Sequence, residues 1–353
     1  MRVRLSDVAA MADVSSATAS MVLNGKAGAI RPDTIDRVLV AAEALGYRPN
    51  ALARSLRSQQ SHTIGFLSDD VVTTPYAGAM ILGAQEVADK HGFALLLANV
   101  DSDQEASRHS LEALLDRQVD AVICATMYHR IIEVPAQLTN SPAVLLNARS
   151  DDNSVTAVVP DDYAGAEAAM EHLVAMGHRR IGFINDRAGN RRPGFIIDQT
   201  SPPAAVEREQ AYHDVLRRHG IDRDDTLQTR APSDPTGGRV AATALLDRPD
   251  RPTALFCYND RMAAGAYVAA RHLGLAIPED LSVVGFDNQV LIAEAIDPPL
   301  TTVQLPHLEM GRWAMEQALT LLDENAEPRV RRMPCPLVER ESVAPPNHPS
   351  ADT

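Results

Sequence analysis

The chain has 353 residues, a net charge of −14 and an aromatic content of only 4%. This length allows two or three domains with a large core, and the acidic balance excludes a generally basic nucleic-acid-binding coat. No apolar run is long enough to span a membrane, and no secretory signal follows the first arginines, so we expect a cytoplasmic location.

Charge and cysteine content refine this view. Residues 1–60 carry eight Lys and Arg against five Asp and Glu, a net charge of +3 that leaves −17 for the rest. A basic head on an acidic body favours docking to a polyanion through one end. The three cysteines, Cys124, Cys257 and Cys335, are far apart, which indicates reduced, buried thiols rather than a disulfide or a zinc site.

Residues 5–24 predict two short helices joined by a tight turn. Ser6 or Asp7 can cap the first helix and Ser15 the second. Asp13 lies where the chain must turn, and Asp tolerates a left-handed backbone better than most residues. The first helix has an apolar face with helical spacing, which consists of Leu5, Val8, Ala9 and Ala12.

The second helix is predicted to bury one face and expose the other. The buried side chains are Ala19, Val22 and Leu23, and the outward-facing ones are Ser16, Ala17, Ser20 and Met21. A third helix begins at Pro32, ends at Gly46 and presents the apolar residues Ile35, Val38, Leu39, Ala42 and Leu45. A helix-turn-helix that enters the DNA major groove has this pattern, although periodicity alone also allows a plain helical bundle.

After residue 60 short apolar strands alternate with helices. We predict strands at 64–67, 94–98, 121–125 and 143–146 and helices at about 77–91 and 104–117, then a second series of such units that begins near residue 164. Alternation of this kind predicts two parallel sheets covered on both faces. Small ligands favour the crevice at the carboxyl ends of such strands.

Two segments differ from this alternation of strands and helices. Residues 48–58 carry Asn50, Leu52, Ala53 and Leu56 and predict one short helix that needs a partner surface to persist. Residues 189–206 are rich in Gly, Pro and charge and predict a long surface loop.

This order of elements resembles the lactose/galactose repressor (LacI) family over nearly the whole chain. The motifs that carry the resemblance are Asp7-Val-Ala9, Val14-Ser15, Thr18, Ser20, Val22-Leu23-Asn24, Leu45-Gly-Tyr-Arg-Pro-Asn50, Leu56, Gly177-His-Arg-Arg-Ile181, Asn259-Asp260, Val284-Gly-Phe-Asp287, Pro299-Leu-Thr-Thr302 and Leu337-Val-x-Arg-Glu-Ser342. The implied fold is an all-α helix-turn-helix domain plus a periplasmic-binding-protein-like α/β core of two doubly wound parallel-sheet lobes.

The resemblance also implies domain boundaries. They are 1–47 for the helix-turn-helix domain, 48–61 for the hinge helix and linker, 62–160 with about 303–332 for the N-terminal lobe, 161–302 with about 333–345 for the C-terminal lobe, and 346–353 for a disordered tail.

By this resemblance the protein is a homodimer that binds a pseudo-palindromic operator. Ser16, Ala17 and Met21 match positions that read base edges, and the phosphate-contacting positions are Thr18, Ser20, Asn24 and Thr34. In the hinge helix, which carries Asn50 and Ala53, Leu56 matches the residue that wedges into a minor-groove base step. The hinge helix is expected to form only on the operator.

Three residues depart from the family pattern. Asp13 stands where Gly is usual, Met21 where Arg is usual, and Arg31 where a small cap residue is usual. Arg can make a bidentate pair with guanine and Met cannot. We therefore expect Ala17 and Met21 to contact thymine methyl groups. Arg31 either contacts phosphate or is solvated.

The resemblance implies a small-molecule effector between the two lobes. Tyr76, Arg208, Asn259 and Asp287 match effector-binding positions, and a carbohydrate is the expected effector, with a nucleoside or another metabolite left open. The chain lacks dinucleotide, phosphate-loop and metal-ligand motifs, so we expect no enzyme activity, cofactor or metal. A transport binding protein would need a signal sequence and would lack residues 1–60. Effector binding is expected to bias operator affinity, with homodimers favoured over tetramers.

Overall fold

A computed structural model describes residues 3–25, 27–28, 30–47, 60–69, 71, 74, 77–100, 104–138, 141–187, 202–323 and 326–347. The described chain divides into two units, residues 1–62 and residues 63–353. Among the described residues, no helix is both long and apolar enough to cross a bilayer.

The first unit is a three-helix head. Its helices are α1 (Leu5–Met11), α2 (Ser16–Leu23) and α3 (Pro32–Ala44). They enclose a small core of buried Val and Ala side chains, namely Val8, Ala9, Ala12, Ala19, Val22, Val38, Ala41 and Ala42. The helix-turn-helix prediction is confirmed, with Asp13 in the turn at a left-handed φ of 53°.

Two details of the head differ from the sequence prediction. Helix α1 is capped by Arg4, and Asp7 lies one turn inside, where its carboxylate accepts the Arg4 backbone N–H at 2.8 Å. Leu39 was assigned to the buried face of α3 but is 49% exposed. Val38, Ala41 and Ala42 supply the buried stripe instead, so the head is too small to cover every apolar residue of this helix.

The second unit contains two six-stranded sheets. Their strands are β1 (Thr63–Ser68), β2 (Ala94–Asn99), β3 (Ala121–Ile132), β4 (Ala143–Ser150), β5 (Thr156–Pro160), β6 (Ile181–Asp186), β7 (Gln228–Ala231), β8 (Ala254–Cys257), β9 (Ser282–Asp287), β10 (Thr301–Gln304), β11 (Val330–Met333) and β12 (Leu337–Val338). The order is β11-β5-β4-β3-β1-β2 in the first sheet and β12-β10-β9-β8-β6-β7 in the second. Every pairing is parallel except that of β12 with β10.

Helices cover both sheets. They are α4 (Gly78–His91), α5 (Gln104–Leu115), α6 (Asp162–Ala175), α7 (Pro203–Arg218), α8 (Pro235–Leu246), α9 (Asp260–His272), α10 (Val290–Ala293) and α11 (His307–Asp323). The chain passes from one sheet to the other after β5, after β10 and after β11. The alternating pattern was predicted from the sequence, but seven elements were not, namely β5, β7, β10, β11, β12, α8 and α10. The two lobes that result place strand ends from both sheets around one cleft.

Candidate functional site

Helix α2 presents three exposed side chains. Ser15 caps the helix, since its Oγ accepts the Thr18 backbone N–H at 3.1 Å. Burial of Ala19 and Val22 fixes the rotation of the helix. The exposed side chains of Ser16, Ala17 and Met21 therefore share the opposite face, where Met21 is 44% exposed. This exposed face is the one that the sequence predicted to read the major groove.

The predicted phosphate-contacting residues flank that face. Thr18 Oγ1 lies 2.9 Å from Ser15 Oγ, and Asn24 Nδ2 donates to the Ser20 carbonyl at 2.6 Å. All three predicted residues, and Thr34 in the first turn of α3, are half-buried. Helix N-termini expose backbone N–H groups that suit phosphate oxygens. Asn50, Ala53 and Leu56 lie outside the described residues.

The second candidate site is a cavity between the two lobes, with a volume of about 10 Å³, which is room for one water molecule. The elements of the first sheet contribute Met127, Tyr128, His129, Asn147 and Pro160. The elements around the second sheet contribute Asp162, Ala204, Arg208, Tyr258, Asp287 and Leu305. The cavity thus lies at the strand ends that the sequence analysis indicated, although Tyr76 is outside the described residues.

Arg208 on α7 is the positive charge of this cavity, and it is only 3% exposed. Its Nε and Nη2 donate to Asp162 Oδ1 at 2.9 and 2.7 Å, and its Nη1 donates to the Tyr258 carbonyl. The same Nη1 lies 4.0 Å from Asp287 Oδ1. The guanidinium also lies 3.5 Å from the centre of the Phe286 ring. Protein groups thus already engage Arg208.

The carboxyl groups around Arg208 have different pKa values. Burial acts to raise the pKa of Asp162, but the charge of Arg208 and the His129 hydrogen bond outweigh it, so the pKa lies below its usual range. Burial raises the pKa of Asp287 to about 6, although Arg208 opposes this. Burial and the charge of Asp287 raise the pKa of Asp260, which accepts the Gln289 backbone N–H at 2.6 Å. At neutral pH Asp162 is the ionised partner of Arg208.

The first lobe offers hydrogen-bond acceptors to the cavity. Asn147 Nδ2 donates to the carbonyls of Thr126 and Met127 at 3.1 and 3.2 Å, which turns its Oδ1 away from them. Within the described part of the chain, Asn147 Oδ1 and His129 Nε2 are buried without a hydrogen-bond partner. Asn147, His129 and Asp162 were not predicted from the sequence. A usable signal was present, because each polar residue interrupts or follows a buried apolar strand.

Asn259 does not line the cavity. Its Oδ1 accepts the Met262 backbone N–H at 2.8 Å, and its Nδ2 donates to the Ser233 carbonyl at 3.3 Å. The amide oxygen thus caps α9, and the amide nitrogen bonds to the segment that precedes α8. The structure therefore brings Arg208 and Asp287 together and leaves Asn259 apart from them.

Two further side-chain contacts join the lobes near the cavity, in addition to the hydrogen bond between His129 and Asp162. Arg332 on β11 donates to both carboxylate oxygens of Glu207 on α7, each at 2.8 Å. Arg261 on α9 donates to the Tyr128 hydroxyl at 2.7 Å. Both contacts therefore bridge elements of the two sheets.

A cluster of His129, Asp162 and Glu207 has ligand atoms within 4.8 Å of one another. Arg208 already holds Asp162, and Arg332 already holds Glu207. Two guanidinium groups therefore supply the positive charge that these carboxylates need, so the geometry favours ion pairs over a metal site.

Together, a helix-turn-helix head and a two-lobed body with a polar cavity define a class, that of DNA-binding regulators with a periplasmic-binding-like effector domain. Comparisons with known proteins agree. Residues 4–50 match the model of the bacterial regulatory proteins of the lacI family, and residues 170–343 match the periplasmic binding protein-like domain.

Curated relatives match along the whole chain. The HTH-type transcriptional regulator GalR of Escherichia coli K12 is 34% identical over 345 residues, which cover 97% of this chain and 96% of GalR. The sucrose operon repressor of Shigella flexneri is 35% identical over 353 residues, which cover 96% and 99% of the two chains. The crystal structure of the lac repressor dimer bound to operator and the anti-inducer ONPF superposes with a TM-score of 0.80 at 27% identity. It covers 98% of this chain and 100% of the repressor.

The chain belongs to the lacI family of bacterial regulatory proteins. It is a DNA-binding transcriptional regulator with an effector-binding core, as the sequence resemblance predicted.

Proposed function

We propose that the protein represses genes for carbohydrate uptake or catabolism. Its affinity for the operator falls or rises when a sugar binds between its lobes. The observation that carries this proposal is the closed, acceptor-rich cavity around Arg208 and Asp162. The names of the sucrose operon repressor and of the lac repressor support a carbohydrate as the class of effector.

On the DNA side, the proposal assigns base reading to Ser16, Ala17 and Met21. Thr18, Ser20, Asn24 and Thr34 are assigned to phosphate, and Asn50, Ala53 and Leu56 to the hinge. One recognition helix reads one half-site, so a homodimer matches a pseudo-palindromic operator. The lac repressor, a dimer on its operator, supports this arrangement.

On the effector side, the proposal assigns hydroxyl binding to Asp287 and a supporting role to Arg208. Asn259 and Tyr76 were also expected to bind effector. The use of the Asn259 amide as a helix cap favours a structural role for that residue. Tyr76 stays a proposal from family resemblance.

Coupling between the two sites follows from the size of the cavity. A hexose is far larger than the one water molecule for which the cavity has room, so the lobes must separate to admit such an effector and close around it. An effector shifts operator affinity only by its differential affinity for the two lobe arrangements. The sign of the effect follows from which arrangement the operator-bound dimer prefers.

A thermal-shift screen of neutral mono- and disaccharides beside nucleosides tests the proposal on the full chain. A ligand that binds only the folded state raises the melting temperature. We expect a saccharide to give the largest rise. Rises with nucleosides alone would reject the carbohydrate proposal in favour of a nucleoside effector.

The Asp287→Asn variant localises the binding site. It keeps the shape of the side chain and removes one of two neighbouring buried acids, so the fold is expected to persist. Affinity for the saccharide should fall about tenfold, as expected when a charged hydrogen-bond acceptor is lost. The exposed Asp247→Asn variant serves as the control and should bind as the wild type does. Equal affinity of all three proteins would place the effector elsewhere.

A further inference from the structure

His129 lies on β3 in the wall of the cavity and is only 2% exposed. Its Nδ1 lies 3.0 Å from Asp162 Oδ2, while Arg208 holds the other oxygen of the same carboxylate. An ionised carboxylate only accepts hydrogen bonds. Nδ1 must therefore carry a proton and donate it.

The state of the second nitrogen follows from burial. A proton on Nε2 as well would create a second cation at a carboxylate that Arg208 already neutralises. It would also leave a buried N–H donor without an acceptor among the described residues. The hydrogen bonds therefore favour the tautomer with the proton on Nδ1 and a lone pair on Nε2.

We propose that His129 is an effector-binding residue whose Nε2 accepts a hydrogen bond from a hydroxyl group of the effector. The inference rests on the proposed function of the cavity and adds a specificity to it. A hydroxyl or an amine N–H can donate a hydrogen bond to Nε2. An ether, phosphate or carboxylate oxygen at that point has no proton to donate, so its lone pairs would repel the lone pair of Nε2. Among the described residues that line the cavity, Arg208 is the cation, and protein groups already engage it, so it is not free to offset such an anion. His129 thus favours an effector that presents a hydroxyl or another hydrogen-bond donor over one that presents an anionic oxygen.

Nitrogen NMR of the full chain with ¹⁵N-labelled histidine tests the tautomer directly. The His129→Asn variant identifies the signal by its absence. We expect a protonated Nδ1 and an unprotonated Nε2 at neutral pH. A proton on Nε2 overturns the inference, whether or not any sugar binds.

The ligand part is tested with D-galactose and sucrose, or with the neutral saccharide that gives the largest thermal shift. Addition of a saturating saccharide should move the Nε2 resonance toward that of a hydrogen-bonded acceptor. An unchanged Nε2 resonance with the saccharide bound would overturn the inference and leave the carbohydrate proposal standing. Failure of every saccharide to bind would reject that proposal, while the tautomer result would still decide for or against His129.

Two variants separate ligand binding from structural support. The amide of His129→Asn can replace Nδ1 as the donor to Asp162 but has no atom in place of Nε2. Its affinity for the saccharide should fall about tenfold, as expected for a lost buried hydrogen bond. One monodeoxy analogue of the saccharide should bind the wild type about tenfold less tightly than the parent saccharide does. The His129→Asn variant should bind the analogue and the parent with equal affinity. The exposed His109→Asn variant is the control and should match the wild type. Full affinity in His129→Asn would show that His129 only supports Asp162.

Discussion

Single residues of the head set its local geometry. Asp13 adopts a φ of 53° in the turn between α1 and α2, a conformation that costs a non-glycine residue free energy. The sequence analysis identified the turn because Asp tolerates this backbone better than most residues. The local penalty remains, and it makes Asp13 a site where a substitution can stabilise the head.

Asp13→Gly should raise the free energy of unfolding of the head by about 0.5–1 kcal/mol, because glycine adopts positive φ without steric cost. Asp36→Gly is the matched control, since Asp36 is an exposed residue inside α3, where glycine lowers helix stability. Denaturant unfolding followed by circular dichroism measures both. A destabilising Asp13→Gly variant would show that Asp13 makes a compensating interaction.

His178 is a buried structural histidine that joins three segments of the second lobe. Its Nδ1 lies 2.9 Å from Thr253 Oγ1, and its Nε2 lies 3.0 Å from both Ser282 Oγ and the Ala344 carbonyl. Burial lowers the pKa of His178 to about 4. In the unfolded chain a histidine has a pKa of about 6.5, so the unfolded state gains a proton first as the pH falls.

The contribution of His178 to stability should therefore be complete above about pH 6.5 and decline as the pH falls toward 4. His178→Gln removes this titration. We expect the difference in melting temperature between wild type and variant to shrink across that pH window. A difference that stays constant, or that grows toward acid pH, would contradict the depressed pKa.

At the scale of elements, one pair of helices in the first lobe, α4 and α11, packs at backbone contact. A Cβ on Gly311 of α11 would lie 2.0 Å from the Met80 carbonyl oxygen of α4, and one on Gly83 of α4 would lie 2.1 Å from the Leu308 carbonyl oxygen of α11. The two glycines thus let the backbones of α4 and α11 touch. No methyl group fits without moving one helix away from the other.

Gly311→Ala should lower the free energy of unfolding by more than about 2 kcal/mol, because over-packing at a backbone contact forces the helices apart. The control is Gly78→Ala in the first turn of α4, where a Cβ would meet nothing within 4 Å. That change should be neutral or slightly stabilising, since alanine has the higher helix propensity. Chemical denaturation of the full chain measures the free energy of unfolding of both variants. Equal changes in Gly311→Ala and Gly78→Ala would contradict the backbone contact between α4 and α11.

The sequence predicted the elements whose patterns are local. Pro32, Gly46 and Ser15 mark helix ends by their own chemistry, and all three do so in the structure. The site residues that depend on chain crossings were not predictable in the same way. Asp162 meets Arg208 and His129 only because α6 and α7 of one lobe pack beside β3 of the other, a relation that no local pattern encodes.

At the scale of the whole molecule, the net charge is distributed unevenly, with a basic head and an acidic body. The net charge of +3 in residues 1–60 favours approach to DNA through the head. The remaining charge of −17 repels the body from DNA phosphate. On the proposed assignment, specificity for sequence depends on the exposed face of α2, which is apolar at Ala17 and Met21.

Selection of binding sites from random duplex DNA by the full chain tests the central claim most directly. We predict a pseudo-palindromic site with thymine at the half-site positions opposite Ala17 and Met21, because their apolar groups match the thymine methyl. Met21→Arg should shift that preference toward guanine. Absence of any enriched sequence would contradict DNA reading by the head, and a strong guanine preference of the wild type opposite Met21 would contradict the apolar reading surface.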